Sequence, residues 1–193
     1  MLGTKHIAYP DAVSGLQYPD PDLIDGLTRL RRWALDDLAC IEQASADPRI
    51  PEGTTVPAVY DPEGGRAFIG RQWSRLINGE GLSLAIASSV SGAAIGSIVL
   101  MLRPQAGVAG VGYWVVPSQR GHGHASRAVD LVSRWALSDV GLARVEAWVE
   151  PDNAASRHVL TTSGFELEGT LRSFLSFATR RADAMVYARV AAG

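Results

Sequence analysis

Two glycines separated by one residue, Gly121 and Gly123, lie where an apolar run ends and an amphipathic pattern begins. Glycine lets the backbone adopt positive φ and approach a ligand more closely than a side chain allows. The first turn of a helix also leaves main-chain N–H groups without partners, and its dipole favours an anion. A phosphate or diphosphate site is therefore predicted at Arg120, Gly121, His122, Gly123, His124 and Ala125.

Other interpretations of this turn start from the same residues. A turn that binds no ligand and is closed by its glycines accounts for them equally well. The dinucleotide fingerprint Gly-x-Gly-x-x-Gly requires a glycine where Ser126 stands, and the Gly-Lys-Ser/Thr ending of a nucleotide-triphosphate loop is missing. His122 and His124 could form a metal pair, but the turn supplies no third ligand, so we expect no metal.

Length and composition limit the classes of protein to consider. A chain of 193 residues with 47% hydrophobic and 20% charged residues suits one globular domain with a short extension. A net charge of −2 provides no cationic field for nucleic acid or an anionic membrane. The single cysteine, Cys40, excludes an internal disulfide and suits the core of a predicted helix. With no apolar leader segment after Met1, we expect a cytoplasmic protein.

The elements that position the turn follow from hydrophobic periodicity. Residues 123–140 repeat apolar residues at i, i+3, i+4 and i+7, which predicts a helix that Gly141 ends. Before the turn, residues 111–116 predict a strand. Further strands are predicted at 27–31, 82–88, 93–102, 144–149, 165–177 and 182–190, and helices at 35–46, 66–77 and 154–163. Antiparallel strands followed by a strand-helix-strand unit indicate a mixed α/β fold, not a doubly wound sheet.

Two stretches bear on the domain boundary and on membranes. Residues 1–26 contain three prolines among aspartates, so we expect an N-terminal arm before a domain over 27–193. Residues 81–102 carry no charge and are long enough to span a bilayer. The serine and glycine cluster at 88–92 predicts a turn between two buried strands, so a hairpin is the better interpretation.

At the strand-helix junction the sequence resembles the GNAT superfamily of acyl-CoA N-acyltransferases, whose signature is Gln/Arg-x-x-Gly-x-Gly/Ala. The segment from Arg120 to Ala125 matches this signature. The resemblance spans roughly residues 27–190 and is closest to ribosomal-protein N-terminal acetyltransferases of the RimJ/RimL type. The other matching segments are Gly112-Tyr113-Trp114-Val115, Pro151-Asp152-Asn153-Ala154-Ala155-Ser156, Gly164-Phe165 and Glu168-Gly169-Thr170-Leu171-Arg172.

The resemblance implies a GNAT α/β fold, a mixed and mostly antiparallel sheet flanked by helices, with acetyl-CoA as cosubstrate and no metal. It implies that the main-chain amides of residues 121–125 hold the coenzyme pyrophosphate. It also implies that the strand ending at Val115 and Val116 hydrogen-bonds the pantetheine arm like an added strand. A homodimer is compatible with the resemblance.

Three residues at the next strand-helix junction match further family positions. Asn153 and Ser156 correspond to positions near the pantetheine and the sulfur, and capping of the following helix is the alternative role for both. Arg157 either contacts the ribose phosphate of the coenzyme or is a solvated surface arginine. Ser156 is the candidate for protonating the departing sulfur, directly or through water.

The general base is where the sequence departs from the family. Acetyl transfer needs a neutral amine, a polarised thioester carbonyl, for which the N–H near Val115 is the expected donor, and a proton for the thiolate. Family members often carry a glutamate on the strand before the turn, where this chain reads Gly110-Val111-Gly112, and a second carboxylate where it has Leu175. The remaining candidates are Glu146, Glu150 and Asp183, for each of which a surface or ion-paired carboxylate is the better interpretation.

The expected reaction is acetyl transfer to a primary amine, preferably the α-amine of a protein or peptide. An α-amine of pKa about 7.8 is roughly a tenth neutral at pH 7, whereas lysine is neutral only at the ~0.04% level. A small-molecule (aminoglycoside or polyamine) acetyltransferase, a non-catalytic acyl-CoA-binding module and a nucleotide-binding protein are the alternatives. Trp33, Phe68 and Trp73 either line the acceptor side or pack in the core, and Trp114, Trp135 and Trp148 are assigned to the core.

Overall fold

The computed structural model describes residues 16–191, so the expectation for residues 1–15 of the N-terminal arm lies outside the described residues. The strands are β1 (Leu23–Asp25), β2 (Thr28–Arg31), β3 (Gly81–Ser88), β4 (Ala94–Leu102), β5 (Val108–Val115), β6 (Arg144–Val149), β7 (Glu166–Ser176) and β8 (Arg181–Val190). The helices are α1 (Leu38–Ser45), α2 (Arg49–Gly53), α3 (Pro62–Ile77), α4 (His124–Ser138) and α5 (Ala154–Thr162). Short 3-10 turns lie at Leu35–Asp37 and Pro117–Gln119.

The eight strands form one sheet in the order β1-β2-β3-β4-β5-β6-β8-β7. Neighbouring strands are antiparallel except β5 and β6, which are parallel and connected through α4. This is the mixed, mostly antiparallel sheet flanked by helices that was predicted. The uncharged segment 81–102 forms the predicted hairpin of β3 and β4. None of the helices within residues 16–191 is long and apolar enough to cross a membrane.

The pairing of β5 with β6 stops after three residues. The last pair is Gly110 with Glu146, whereas β5 stays paired to β4 as far as Val115 and β6 stays paired to β8 as far as Val149. The two strands therefore diverge, and a cleft opens between residues 111–115 of β5 and 147–149 of β6. Both strands stay fixed on their outer sides, so the cleft has rigid walls.

Aromatic residues from the elements before residue 80 pack in the core. Trp33 and Phe68 are 3% and 2% exposed, and both rings contact Trp114 of β5. Trp73 donates its indole N–H to the carbonyl of Trp33 at 2.9 Å. These contacts favour the core interpretation of these side chains over the acceptor-lining one. Cys40 is also buried, and burial raises the pKa of its thiol well above the ordinary value.

The prediction that Trp148 lies in the core is wrong. Residues alternate along β6, and Val145, Ala147 and Val149 are the buried ones. Trp148 therefore lies on the opposite face of the sheet, half-buried, with the ring of Phe174 edge-on at 4.7 Å between centroids. Trp135 is partly buried and packs against the core as predicted.

The structure differs most from the sequence prediction at the start of one helix and in two short elements that were not predicted. Helix α3 begins at Pro62, not at 66, because the Asp61 side chain accepts a hydrogen bond from the Gly64 N–H at 2.7 Å and Pro62 suits the first helical position. Strand β1 lies within the segment 1–26 and pairs with β2. The short helix α2 was also not predicted, because Pro48 and Pro51 indicated a break.

Candidate functional site

The turn between β5 and α4 presents a row of free main-chain N–H groups. Gly121 and Gly123 have φ of +81° and +77°, a region that side chains other than glycine rarely adopt. Within residues 16–191, none of the N–H groups of residues 121–126 donates to a main-chain carbonyl, and Arg127 N–H is the first to do so, to Gly123 O at 3.1 Å. Successive N–H groups in this conformation form an anion-binding concavity at the start of α4, a helix of 15 residues.

Arg127, which was not among the predicted site residues, adds a cation beside this row. Its Nη1 donates to the His122 carbonyl at 2.9 Å, and a Cβ built on Gly123 would lie 2.6 Å from the same atom. No carboxylate of the described residues forms an ion pair with Arg127. The sequence signal was its place in the first turn of α4, one helical turn after Gly123.

Arg120 does not point into the turn. Its Nε donates to the Val115 carbonyl at 2.9 Å, and its Nη2 forms an ion pair with Asp47, between α1 and α2. Burial tends to raise the pKa of Asp47, but the Arg49 N–H and the Arg120 guanidinium together hold that pKa below its usual value. Arg120 therefore fixes the end of β5 against the helices before it.

The two histidines of the turn have different environments. The His124 ring is buried, and its Nδ1 lies 2.9 Å from the Thr28 hydroxyl. His122 is exposed, with 6.3 Å between the two ring centroids. Among residues 16–191, no three His, Cys, Asp or Glu side chains are grouped so that they could hold a metal ion.

We expect His124 to make stability depend on pH. Burial, with smaller effects from Arg127 and His122, lowers the pKa of His124 below the value of about 6.5 that an unfolded histidine has. The unfolded state then binds more protons below about pH 6.5, so the free energy of unfolding falls as pH decreases from there towards the folded pKa. Thermal unfolding between pH 7.5 and 5.5 should show a smaller loss of Tm in His124→Asn than in the wild type. The exposed His158→Asn is the control, and parallel curves for His124→Asn and wild type would contradict the assignment.

Main-chain groups of β5 line the cleft. Val116 N–H donates to Ile95 O at 2.9 Å, and its carbonyl accepts from Gln119 N–H at 3.0 Å, so both of its main-chain groups are engaged. Because antiparallel pairing alternates, the main-chain groups of Val111, Tyr113 and Val115 point away from β4, towards the cleft. Of the two predicted strand contacts, Val115 thus offers an N–H to a ligand, and Val116 does not.

A tyrosine and a serine meet across the cleft. The Tyr113 hydroxyl of β5 lies 2.7 Å from Ser156 Oγ and donates to the Ser156 carbonyl at 3.2 Å. Burial raises the pKa of Tyr113 to about 12, so the phenol stays protonated at neutral pH. Tyr113 lies in a segment that matches the family, but its role was not predictable because sequence spacing cannot show that it reaches α5.

The other residues at the start of α5 make local contacts. Asn153 caps the helix, since its Oδ1 accepts from Ser156 N–H at 3.0 Å. Arg157 is exposed, and its Nη1 donates to the Pro151 carbonyl at 3.0 Å. The structure therefore shows the capping role of Asn153. The same hydrogen bond fixes the backbone of Ser156.

The three candidate bases are all engaged with other groups. Glu146 accepts from Arg103 and Arg144, at 3.2 Å and 3.3 Å. Glu150 forms an ion pair with Arg180, whose hydrogen bond lowers the pKa of this carboxyl. Asp183 accepts from the Ser173 N–H at 2.7 Å. These are the ion-paired and locally bonded carboxylates that the sequence interpretation favoured.

The chain is similar to known acetyltransferases in sequence and in structure. Residues 28–166 match the family described as an acetyltransferase (GNAT) domain. The uncharacterized N-acetyltransferase p20 of Bacillus licheniformis is 26% identical over 159 residues, covering 82% of this chain and 89% of that protein.

Solved structures share the fold. RimJ of Mycobacterium smegmatis, in complex with CoA-disulfide, superposes with a TM-score of 0.75 and 26% identity, covering 86% of this chain and 83% of that one. The ribosomal-protein-S5-alanine acetyltransferase of Vibrio fischeri gives a TM-score of 0.72 at 20% identity, covering 89% and 97%. The family match extends over most of the described sheet and both sides of the cleft, and the chain belongs to the GNAT family of N-acetyltransferases.

Proposed function

We propose that this protein transfers the acetyl group of acetyl-CoA to a primary amine, preferably the α-amine of a protein or peptide. The observation that carries the proposal is the row of free N–H groups at residues 121–126, which opens beside the cleft between β5 and β6. Relatives that bind CoA, such as the M. smegmatis RimJ, and the ribosomal-protein acetyltransferase of V. fischeri share this fold.

The residues of the turn and cleft fit acetyl-CoA. A pyrophosphate suits the amides of 121–126, which leave donors unpaired, and Gly121 has open space around its Cα. Arg127 supplies a positive charge at the same place. The unpaired edge of β5 offers main-chain groups to an extended pantetheine arm, as an edge strand does to a peptide. When bound, acetyl-CoA supplies a reactive thioester, and the Val115 N–H is the donor assigned to its carbonyl oxygen.

The hydroxyls of Ser156 and Tyr113 supply the proton that the departing sulfur needs. Ser156 Oγ donates its proton to sulfur, the Tyr113 hydroxyl, 2.7 Å away, turns from the Ser156 carbonyl to give its proton to Oγ, and a proton from solvent restores the phenol. Tyr113 can act as a donor because burial keeps its phenol protonated at neutral pH. The contact from Asn153 to the Ser156 N–H fixes the backbone from which the serine side chain projects.

The amine must lose its proton to water before it attacks, because the carboxylates near the cleft are occupied. Glu146 and Glu150 are ion-paired with arginines, and positions 110–112 and 175 carry no carboxylate. An α-amine loses its proton to water at neutral pH far more readily than a lysine does, by about 2.6 pKa units. This difference favours α-amines as acceptors, because the three candidate carboxylates within residues 16–191 are engaged with other groups.

Acetylation of matched peptides tests the choice of amine. We expect kcat/KM at pH 7 to be at least about 10-fold higher for a peptide with a free α-amine and no lysine than for an N-terminally blocked peptide with one lysine. Release of free thiol measures both rates. A faster reaction with the lysine peptide would reject the α-amine preference.

The empty carboxylate positions also favour a second candidate, an acyl-CoA-binding module without turnover. The family resemblance places one carboxylate within Gly110-Val111-Gly112 and another near Leu175, and neither place has one in this sequence. This alternative predicts that acetyl-CoA stabilises the protein in thermal unfolding while no thiol is released with peptides, aminoglycosides or polyamines. Thiol release with aminoglycosides or polyamines, but not with peptides, would indicate the small-molecule acetyltransferase.

A further inference from the structure

An arginine occupies the space that the missing side chain of Gly110 leaves on β5. A Cβ built on Gly110 would lie 2.5 Å from Nη2 and 2.8 Å from Cζ of Arg103. Gly110 is the last residue of β5 that pairs with β6, so this guanidinium lies at the closed end of the cleft. A positive charge therefore stands beside the segment Gly110-Val111-Gly112, where family members often carry a glutamate.

Several contacts hold the Arg103 guanidinium in place. Its Cζ lies 3.8 Å from the centroid of the Trp148 ring, and its Nε donates to Glu146 Oε1 at 3.2 Å. Stacking on an aromatic face and an ion pair both favour one orientation of the planar group. The side chain remains 19% exposed, so it is fixed and still reaches solvent.

Two nitrogens of Arg103 are left for a ligand. Within residues 16–191, only the Nε of this guanidinium forms a hydrogen bond, and Nη1 and Nη2 have no protein acceptor. Glu146 also accepts from Arg144, so two guanidiniums share one carboxylate. The other carboxylate nearby, Glu168, is bound by both Nη atoms of Arg144. The charge of Arg103 is therefore only partly compensated.

We propose that Arg103 binds a carboxylate that the acceptor carries close to the amine to be acetylated; this rests on the proposed acetyl transfer. The two free Nη atoms match the two oxygens of a carboxylate. The same positive charge disfavours an ammonium ion nearby, which increases the neutral fraction of the acceptor amine. Arg103 thus selects the acceptor and takes over part of the task that a base would perform.

Pairs of acceptors that differ only in the carboxylate test the proposal. One pair is a peptide with aspartate and its twin with asparagine at the second position, and the other is alanine and alaninamide. Because the amine pKa differs within the pairs, the quantity compared is how the ratio of kcat/KM values changes from the wild type to a variant. For each pair, this ratio is kcat/KM of the acid divided by kcat/KM of the amide. In Arg103→Gln we expect it to fall by about 10- to 100-fold for the pair that resembles the natural acceptor.

Two further variants keep the test decisive if Arg103→Gln folds poorly. Glu146→Gln removes the internal partner of Arg103 and should raise the ratio. Gly110→Ala places a methyl group within 2.5 Å of Nη2, displaces the guanidinium and should lower it. Arg134→Gln, on α4 and 54% exposed, is the control that leaves the ratio unchanged.

The outcomes separate this proposal from the proposed function. Equal loss on acid and amide twins in Arg103→Gln and in Gly110→Ala would overturn carboxylate binding while leaving acetyl transfer intact. The absence of thiol release with every amine, at normal acetyl-CoA binding, would instead reject the proposed function. A change confined to the alanine pair identifies a free amino acid as acceptor, and one confined to the peptide pair identifies an acidic N-terminus; either supports the role of Arg103.

Discussion

Gly123→Val is expected to weaken acetyl-CoA binding by at least about 100-fold. The wild-type residue has φ of +77°, and a Cβ there would lie 2.6 Å from Arg127 Nη1. Valine therefore forces the turn to change its backbone and moves the Arg127 guanidinium, so several N–H groups lose their common direction. Loss of two hydrogen bonds to a charged pyrophosphate, about 3 kcal/mol, gives this factor in Kd, which isothermal titration calorimetry measures.

Gly141→Val is the matched control for this variant. Gly141 follows α4, has φ of +78° and has no atom within 4 Å of its built Cβ. The backbone strain is the same, so both variants should lose similar stability, while Gly141→Val keeps the Kd of the wild type within about twofold. Equal Kd values in the two variants would show that the turn does not hold the coenzyme.

The turn itself was predictable because its determinants are local. Positive φ at two glycines and the start of an amphipathic helix both depend on residues that follow one another in the sequence. The same holds for most strands and helices, and for the hairpin of β3 and β4, whose serine and glycine turn interrupts an uncharged run. Helix α3 was placed with a late start because its cap, Asp61, precedes any apolar periodicity.

The cleft and its side chains were not predictable in the same way. Where β5 and β6 separate depends on each strand's partner on the other side, which sequence periodicity does not encode. Arg103 is 43 residues from Glu146, and Tyr113 is 43 residues from Ser156, so both contacts follow from the fold alone. Trp148 was wrongly predicted in the core because the prediction relied on its apolar type. The alternation of buried residues along β6 instead puts it on the face opposite Val145, Ala147 and Val149.

Ser156→Ala is expected to lower kcat by about 100-fold with little change in the Kd of acetyl-CoA. A positioned proton donor contributes about 10²- to 10⁴-fold to a transfer step, and Ser156 Oγ is the hydroxyl at the start of α5 that contacts the protonated Tyr113 phenol. Tyr113→Phe removes the group that restores the serine proton and should lower kcat less, because water can replace it. Steady-state rates of thiol release and calorimetric Kd values check both expectations.

The double variant decides whether the two hydroxyls act as one path. If Tyr113 acts through Ser156, Tyr113→Phe causes no further loss of kcat in the Ser156→Ala background, because residues that act as a unit are non-additive. Multiplying losses would assign them independent roles, and a change in Kd alone would leave Ser156 as a contact. An acetyl thioester of a more acidic thiol needs less protonation as it leaves, so the defect of Ser156→Ala should shrink with such a donor, which a merely structural role does not predict.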